Sequence, residues 1–310
     1  MSGDFLDQMA RASRQRVAHA RALRSEQSLI EQTRLMPPAP TLSLSAQGFD
    51  LIAEHKRRSP AMGVLGAPDA AGVDAAAADL GGRVLDYAEA GAAAVSVLTE
   101  PSRFDGALEH LRQSVQRLAG RAPVMRKDFL VDPYQVYEAR AAGAGGALVI
   151  LRMLPASQQC ALIEACAQLG LFALLEAFDD ADLARAAELV QTYGPGRGSA
   201  SGGMLLVGVN CRDLGTLQVV PGRLEALAAR LPAGVPHVAE SGVRSAEDAA
   251  RLARAGYDVA LVGGALMQSA DPGALARSML AAGRDAAATR RRVADAGAHS
   301  RRTCGSRSAG

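Results

Sequence analysis

One structural unit recurs along residues 50–280, and it constrains the fold more than any other feature of the chain. Each unit has a short aliphatic run, a polar turn, a helical stretch and a glycine before the next run. Glycine suits that place because it accepts the left-handed backbone that closes a helix. The clearest helix-closing glycines are Gly91, Gly143, Gly170 and Gly256. The repeat therefore predicts alternating strands and helices.

The aliphatic runs do not alternate polar with apolar residues, which is typical of strands buried on both faces of a parallel sheet. Eight such units in about 230 residues predict an α/β fold, the (β/α)8 TIM barrel. A doubly wound open sheet is the competitor, but it usually has fewer strands, and no Gly-x-Gly-x-x-Gly turn follows the first run. The runs end near Glu54, Leu98, Arg126, Ile150, Leu175, Val209, Ala239 and Val262.

Two segments lie outside the barrel, which is predicted over residues 49–285. Residues 1–48 are predicted to form one or two amphipathic helices that pack on the barrel or cover one end. Residues 286–310 carry two arginine clusters among Ala, Gly and Ser. No aromatic residue accompanies that charge, so we expect a disordered, solvated tail rather than a nucleic-acid-binding segment.

Composition disfavours several classes of partner. The formal net charge of +2 gives no electrostatic reason to expect a nucleic acid or a membrane. The polar N-terminus lacks the apolar core of a signal peptide, and no run of about twenty apolar residues could span a bilayer. The four cysteines show neither Cys-x-x-Cys spacing nor a disulfide framework. A soluble cytoplasmic protein is expected.

Only two of the 34 basic residues are lysines, Lys56 and Lys127, and each stands where an aliphatic run ends. Arginine stays charged at any relevant pH, whereas a lysine in a dry pocket can lose and regain a proton. An ammonium group kept at two strand ends, in a chain that otherwise uses arginine, indicates a chemical role.

Other polar residues also gather where the predicted strands end, the end of a TIM barrel that carries the active site. Buried strands exclude unpaired charge, so these side chains should line the rim. Ammonium groups and carboxylates together can protonate a leaving oxygen, remove a carbon-bound proton and hold an anionic substrate. In chain order the set is Glu54, Lys56, Thr99, Glu100, Lys127, Asp128, Glu176, Asn210, Arg212 and Glu240.

Some of these residues have a structural alternative. Glu100, Asp128 and Glu176 could instead tie βα turns together. His55 alternates away from Glu54 and Lys56 along its strand, and is predicted to be a packed residue. No His, Cys and Asp cluster has metal-ligand spacing, so no metal is expected.

Glycine-rich turns after the last two strands predict a phosphate site. Ser241 and Gly242 follow the seventh strand, and Gly263 and Gly264 follow the eighth. Glycine lets backbone N–H groups approach a phosphate, and TIM barrels commonly bind phosphate at these two turns. The guanidinium group of Arg212 could add a bidentate, charged contact to the phosphate.

Taken together, these residues resemble the indole-3-glycerol-phosphate synthase family of tryptophan biosynthesis over residues 50–280. The most specific part is Arg-Lys-Asp-Phe at 126–129 combined with Glu-x-Lys-x-x-Ser-Pro at 54–60. The resemblance implies that 1-(2-carboxyphenylamino)-1-deoxyribulose 5-phosphate is closed to indole-3-glycerol phosphate, with loss of carbon dioxide and water. No cofactor is implied. Other matching segments are 174–176, 208–214, 239–243 and 262–267.

The resemblance also implies roles. Lys127 would be the general acid that activates the ribulose carbonyl, and Glu176 the general base of rearomatisation and dehydration. Lys56 would hold the substrate carboxylate and serve as a second acid, with Glu54 as its polar partner. The remaining implied roles are Asn210 and Glu240 for orientation, Ser59, Arg212, Ser241, Gly242, Gly263 and Gly264 for the phosphate, and Pro60 and Phe129 for the aniline ring.

Several positions depart from the family pattern without removing a proposed acid or base. His55 stands where tyrosine or a small apolar residue is usual, and Ala61-Met62-Gly63 lacks a frequent loop lysine. Cys211 replaces a common asparagine, and Gly264 a common serine. Residues 194–203 form a Gly- and Ser-rich insertion that is predicted to be flexible.

Three alternatives stay open. An isomerase acting one step earlier in the pathway would need a cysteine at the end of the first strand, where this chain has Glu54 and Lys56. The departures also allow a non-catalytic phosphate-binding barrel that acts as scaffold or regulator, or a paralogue of a specialised indole pathway. For the assembly we expect a monomer or weak homodimer, which could associate with another tryptophan-pathway enzyme.

Overall fold

A computed structural model describes residues 2–60, 63–65, 72–196, 203–214 and 216–305 of the chain. Residues 61–62, where the loop lysine is missing, lie outside the described residues, and so do 197–202 of the insertion and 306–310 of the tail. The strands are β1 (Asp50–His55), β2 (Arg58–Ser59), β3 (Gly63–Val64), β4 (Ala94–Leu98), β5 (Val124–Lys127), β6 (Gly146–Ile150), β7 (Phe172–Ala177), β8 (Leu205–Asn210), β9 (His237–Glu240) and β10 (Val259–Val262).

Helices follow the barrel strands and flank the barrel in sequence, and a 3-10 turn spans Leu151–Met153. In the described ranges no helix combines the length and apolar character needed to cross a bilayer. The α-helices are α1 (Ser2–Leu23), α2 (Glu26–Arg34), α3 (Gly72–Glu89), α4 (Pro101–Phe104), α5 (Leu108–Leu118), α6 (Pro133–Ala141), α7 (Ala156–Gln168), α8 (Asp180–Tyr193), α9 (Arg223–Ala228), α10 (Ala246–Ala255), α11 (Gly264–Gln268) and α12 (Pro272–Gly305).

Eight of the strands close into a parallel barrel in the order β1-β10-β9-β8-β7-β6-β5-β4, with β1 pairing both β4 and β10. All eight predicted run ends fall within two residues of the observed strand ends. The predicted TIM barrel is confirmed. The antiparallel β2–β3 hairpin after β1 was not predicted, because two-residue strands carry no periodicity.

The alternation of side chains along each strand decides which residues reach the active-site mouth. Inward-facing apolar residues such as Ile52, Met125 and Leu174 fill the barrel interior as one buried cluster. Two positions further along the same strands stand polar residues, among them Lys127 and Glu176. Because side chains alternate across a strand, these polar residues point to the same inner face as the apolar ones. They lie above the apolar core, at the carboxyl ends of the strands.

The N-terminal helices pack on the barrel, which is one of the two placements predicted for residues 1–48. α1 lies over the turn between β5 and α6, where Arg21 makes a bidentate pair with Asp132 at 2.9 and 2.8 Å. Gln135 donates a hydrogen bond of 2.9 Å to Ser13, and both side chains are buried. These contacts attach α1 to the strand end that carries Lys127.

The C-terminal helix continues into the segment for which a disordered tail is expected. α12 runs to Gly305, and its Ala286 and Ala287 are buried against the barrel. Arg291 donates hydrogen bonds to the backbone carbonyls of Ala46 and Gln47, at 3.0 and 2.5 Å. Alanine favours helix, and Arg291 finds backbone carbonyl acceptors, so this segment is helical although its charge indicated a disordered tail.

Candidate active site

A cavity of about 600 Å³ opens at the carboxyl ends of the barrel strands. The structure brings the residues predicted to act on or bind the substrate to its wall, although they come from six barrel strands and the segment at β2. Those lining residues are Glu54, Lys56, Ser59, Pro60, Lys127, Phe129, Glu176, Asn210, Arg212, Glu240, Ser241, Gly242, Gly263 and Gly264. Thr99 and Glu100, which were also predicted at the rim, do not line the cavity.

Lys56 and Glu54 form a close ion pair on the β1 side of the cavity. The Lys56 ammonium donates to Oε1 of Glu54 at 2.5 Å. Burial alone would raise the pKa of Glu54, but the attraction of Lys56 and Lys127 outweighs burial and lowers the pKa below its ordinary value. Glu54 is therefore a carboxylate that holds Lys56 toward the cavity.

Lys127 is surrounded by carboxylates. Its Nζ donates to Oε2 of Glu240 at 3.1 Å and lies 3.6 Å from Oε1 of Glu176. Burial would lower the pKa of Lys127, yet Glu176, Glu240 and Glu54 together raise it above the ordinary value. The expectation that a dry pocket would loosen the lysine proton is wrong for the free protein, since Lys127 begins as a firmly held ammonium. That charge state is the one a proton donor requires.

Asn210 orients Glu176. The side-chain oxygen of Asn210 accepts the backbone N–H of Arg212 at 2.9 Å, so its amide nitrogen must face the other way. That nitrogen donates to Oε1 of Glu176 at 2.6 Å. The arrangement fixes which way the amide points and holds the buried Glu176 carboxylate next to Lys127.

Glu240 carries a buried oxygen with no hydrogen-bond partner among the described residues. This Oε1 atom faces Gly208, where an added Cβ would lie 2.2 Å away. Burial raises the pKa of Glu240 to about 8, against the opposing attraction of Lys127 and with some help from Glu176. Burial therefore favours the protonated form of Glu240, and in that form the side chain can present a hydroxyl to a ligand.

Gly263 has a steric role that the amino-acid sequence did not reveal. A Cβ at this position would lie 2.3 Å from Oε1 of Glu54 and 2.9 Å from Nζ of Lys56. A side chain there would collide with the ion pair, so the glycine makes room for the pair as well as standing in a predicted phosphate turn.

The predicted phosphate turns border the same cavity. Ser241 and Gly242 both have left-handed backbone, with φ of 68° and 76°, and for serine that conformation is unusual. Arg212 donates through NH1 to the carbonyl of Leu217 at 2.6 Å, which fixes its guanidinium at the rim. Arg244 also lines the cavity, although no sequence signal singled it out.

An aromatic wall completes the cavity. Phe129 packs edge-on against Phe5 of α1 with centroids 5.9 Å apart, and lies 6.2 Å from Phe104. Phe5 and Phe104 were missed by sequence reasoning, because they belong to a helix before the barrel and a short helix after β4. The prediction that residues 1–48 could cover one end of the barrel was the one sequence signal that pointed to a contribution from α1.

Two carboxylates near the rim have structural partners, in line with their alternative interpretation. Glu100 caps α4 by accepting the backbone N–H groups of Ser102 and Arg103 at 2.9 and 2.7 Å. Asp128 accepts hydrogen bonds of 2.7 Å from both Thr99 and Arg16. These contacts tie βα turns and α1 together.

His55 is packed as predicted. Its side chain is buried, and burial lowers its pKa to about 3, with further repulsion from His110 and Arg83. The imidazole is therefore neutral. Over the part of the chain that the structure describes, no three His, Cys, Asp or Glu side chains are grouped as metal ligands.

Comparison with known proteins identifies the family. A family model described as "Indole-3-glycerol phosphate synthase" matches residues 6–279. The chain is 41% identical over 240 residues to the indole-3-glycerol phosphate synthase of a Parafrankia species, covering 77% of this chain and 81% of that protein. It is 37% identical over 280 residues to indole-3-glycerol phosphate synthase 1 of Streptomyces coelicolor, covering 90% and 95%.

Solved structures agree on the fold. The 3-hexulose-6-phosphate synthase of Salmonella typhimurium aligns with a TM-score of 0.54 at 15% identity, over 78% of this chain and all of that one. The thiamine phosphate pyrophosphorylase of Pyrococcus furiosus aligns with a TM-score of 0.51 at 14% identity, over 77% and 97%. At such identities the likeness concerns the barrel alone. On the family match and the sequence relatives, the chain belongs to the indole-3-glycerol phosphate synthase family.

Proposed function

We propose that this protein closes 1-(2-carboxyphenylamino)-1-deoxyribulose 5-phosphate to indole-3-glycerol phosphate, releasing carbon dioxide and water. The protein is an enzyme, a carboxy-lyase of tryptophan biosynthesis, and its substrate is a phosphorylated small molecule. One observation carries the proposal: the Lys127 ammonium lies 3.1 Å from Glu240 and 3.6 Å from Glu176, inside the cavity that also holds the Lys56–Glu54 pair.

Lys127 is proposed to start the reaction as general acid. Its proton passes to the ribulose carbonyl oxygen while the aromatic carbon that bears the carboxylate attacks the carbonyl carbon. The carbonyl becomes a hydroxyl, so no negative charge accumulates on oxygen beside the carboxylates of Glu54 and Glu176. Positioned proton transfer of this kind typically contributes a factor of about 10² to 10⁴ in rate.

Loss of carbon dioxide then restores the aromatic ring, and the new hydroxyl leaves as water. Glu176 is proposed to take the proton from the ring carbon next to the one that loses the hydroxyl, so that the indole double bond forms as water leaves. Asn210 holds Glu176 3.6 Å from the lysine that has just given up its proton. Lys56 is proposed to bind the substrate carboxylate before decarboxylation and to assist the departing hydroxyl as a second acid. Glu54 keeps Lys56 in place, and the protonated Glu240 can donate to a substrate hydroxyl.

The ends of the substrate match the two ends of the cavity. The phosphate is proposed to lie at the turns that carry Ser241, Gly242 and Gly264, with Ser59, Arg212 and the backbone of Gly263 completing the site. The aniline ring is proposed to lie against Pro60 and the aromatic wall around Phe129, where apolar surface rather than charge faces the cavity. With the substrate in this orientation, the reacting carbonyl is proposed to lie between Lys127 and Lys56.

The test is direct turnover. Purified protein is mixed with the carboxyphenylamino substrate, while the rise of indole fluorescence and the release of carbon dioxide are followed together. Stoichiometric appearance of both products supports the proposal. Binding of the substrate with neither product would favour the non-catalytic scaffold, and product formed only from a different phosphorylated aniline would favour a specialised paralogue.

We also propose a cytoplasmic monomer or weak homodimer. The described cysteines, Cys160, Cys166 and Cys211, are free thiols, which suits a reducing compartment. Light scattering over a range of protein concentrations tests the assembly. A stable higher oligomer at low concentration would contradict it.

A further inference from the structure

We propose that Cys211 is a positioning residue for the phosphate turn, defined as residues 241–242. The inference rests on the proposed function, because it concerns how the phosphate end of the substrate is held. It goes beyond that function because the side chain at 211 is a point where this chain departs from its family pattern.

Cys211 connects three pieces of the barrel rim. Its backbone N–H donates to the carbonyl of Glu240 at 3.0 Å, and its own carbonyl accepts the N–H of Val220 at 2.8 Å. Its thiol donates to the carbonyl of Ser241 at 3.2 Å. One residue at the end of β8 therefore holds the end of β9 and the start of the phosphate turn.

The sulfur also supports the turn by packing. A Cβ added to Gly242 would lie 3.0 Å from Sγ of Cys211 and 3.2 Å from Cγ1 of Val219. The turn thus packs directly on the sulfur. Cys211 as a whole is buried, with only 3% of its surface exposed. Burial raises the pKa of the Cys211 thiol despite the nearby Arg212 and Arg223, so the S–H donor persists through the neutral range.

The turn needs such support because its backbone is strained. Ser241 has φ of 68°, a conformation that a residue with a side chain keeps only where its surroundings impose it. The thiol holds the carbonyl of that same residue. Loosening the contact would let the peptide between residues 241 and 242 rotate, which would change the shape of the turn that lines the cavity.

The acid and base groups depend on other contacts. Lys127 is held by Glu240 and Glu176, and Glu176 by Asn210. A change at Cys211 should therefore weaken phosphate binding more than the chemical step. A purely structural residue would instead lower stability without separating the two.

The test compares Cys211→Ala, which lacks the donor, with Cys211→Ser, which keeps one. The measurements are kcat and KM with the phosphorylated substrate, and the Kd of inorganic phosphate by calorimetry. For Cys211→Ala we expect KM and the phosphate Kd to rise about 3- to 10-fold, the range for one lost hydrogen bond, with kcat within about twofold. Cys211→Ser should stay within about twofold of the wild type in all three.

Cys166→Ala is the matched control, a buried cysteine on α7 remote from the cavity, and should leave KM and Kd unchanged. If Cys211→Ala does not fold, Cys211→Val supplies a variant that fills the space without a donor. Wild-type phosphate affinity in the donor-less variant, or an equal loss in the serine variant, would overturn the inference. If wild-type protein binds phosphate but never converts the substrate, the proposed function is refuted and the inference about Cys211 is not.

Discussion

Gly263→Ala tests the active-site pair without removing either member. The added Cβ would lie 2.3 Å from Oε1 of Glu54, where an ordinary contact begins at 3.4 Å, so the carboxylate must move by about 1 Å. Lys56 Nζ, 2.9 Å from the same Cβ, must move with it. A 1 Å misplacement of a catalytic group can cost about 10²-fold in rate, which corresponds to about 2.7 kcal/mol of transition-state stabilisation.

The expected result is therefore a fall in kcat of about 10²-fold. The phosphate Kd should change little, because alanine keeps the backbone N–H of residue 263. Fluorescence progress curves give kcat, and calorimetry with inorganic phosphate gives Kd. Gly82→Ala is the control, since its Cβ would meet nothing within 4 Å on α3. Unchanged kcat with weakened phosphate binding would refute the argument and leave Gly263 as a phosphate residue only.

Three further predictions follow from contacts in and around the site. Burial raises the pKa of Glu240 to about 8 in the native state, whereas in the unfolded chain the carboxyl loses its proton above its ordinary pKa of 4.5. The free energy of unfolding should therefore fall from pH 5 to pH 8. Urea titrations over this pH range should show that Glu240→Gln flattens the fall. Arg16→Leu removes one of two cationic partners of the buried Asp128, which keeps Thr99, Arg126 and the backbone N–H of Phe129, and should cost about 1.5 kcal/mol of unfolding free energy. Arg14→Leu on an exposed face should cost under about 0.5 kcal/mol, and equal losses would contradict this. Phe5→Ala should raise the KM of the aromatic substrate about 3- to 10-fold and leave the phosphate Kd unchanged, and an effect on phosphate instead would dismiss Phe5 as part of the ring site.

The barrel could be predicted because its signals are local. Aliphatic runs and closing glycines mark each unit, and parallel strands bring their carboxyl ends to one face. Once that topology is chosen, residues as distant as Glu54 and Glu240 must share a cavity. The short β2–β3 hairpin escaped because its strands are too brief to carry a period.

The energetics of the site could not be predicted, because they depend on distances between strands. A lone buried lysine would lose its proton easily, and only the placement of Glu176 and Glu240 beside Lys127 reverses that direction. The space that Gly263 leaves for Glu54 is likewise invisible until the two strands are side by side. Phe5 reaches the site through a contact with Phe129 that no local pattern records.

The C-terminal segment shows a different limit. Its arginines indicated a solvated tail, but Ala286 and Ala287 are buried once α12 packs along the barrel, and Arg291 meets backbone carbonyls before β1. Whether a basic, alanine-rich run stays in solvent depends on whether the fold offers a surface to receive it.

Lys127→Arg tests the central claim most directly, because it keeps the positive charge among the carboxylates and removes only the readily transferable proton. The measurement is the single-turnover rate of indole formation from the carboxyphenylamino substrate, with the phosphate Kd as a check on binding. We predict a loss of about 10³-fold or more in rate with the phosphate Kd within about threefold. A rate within about tenfold of the wild type would show that charge, and not proton transfer from residue 127, drives the ring closure.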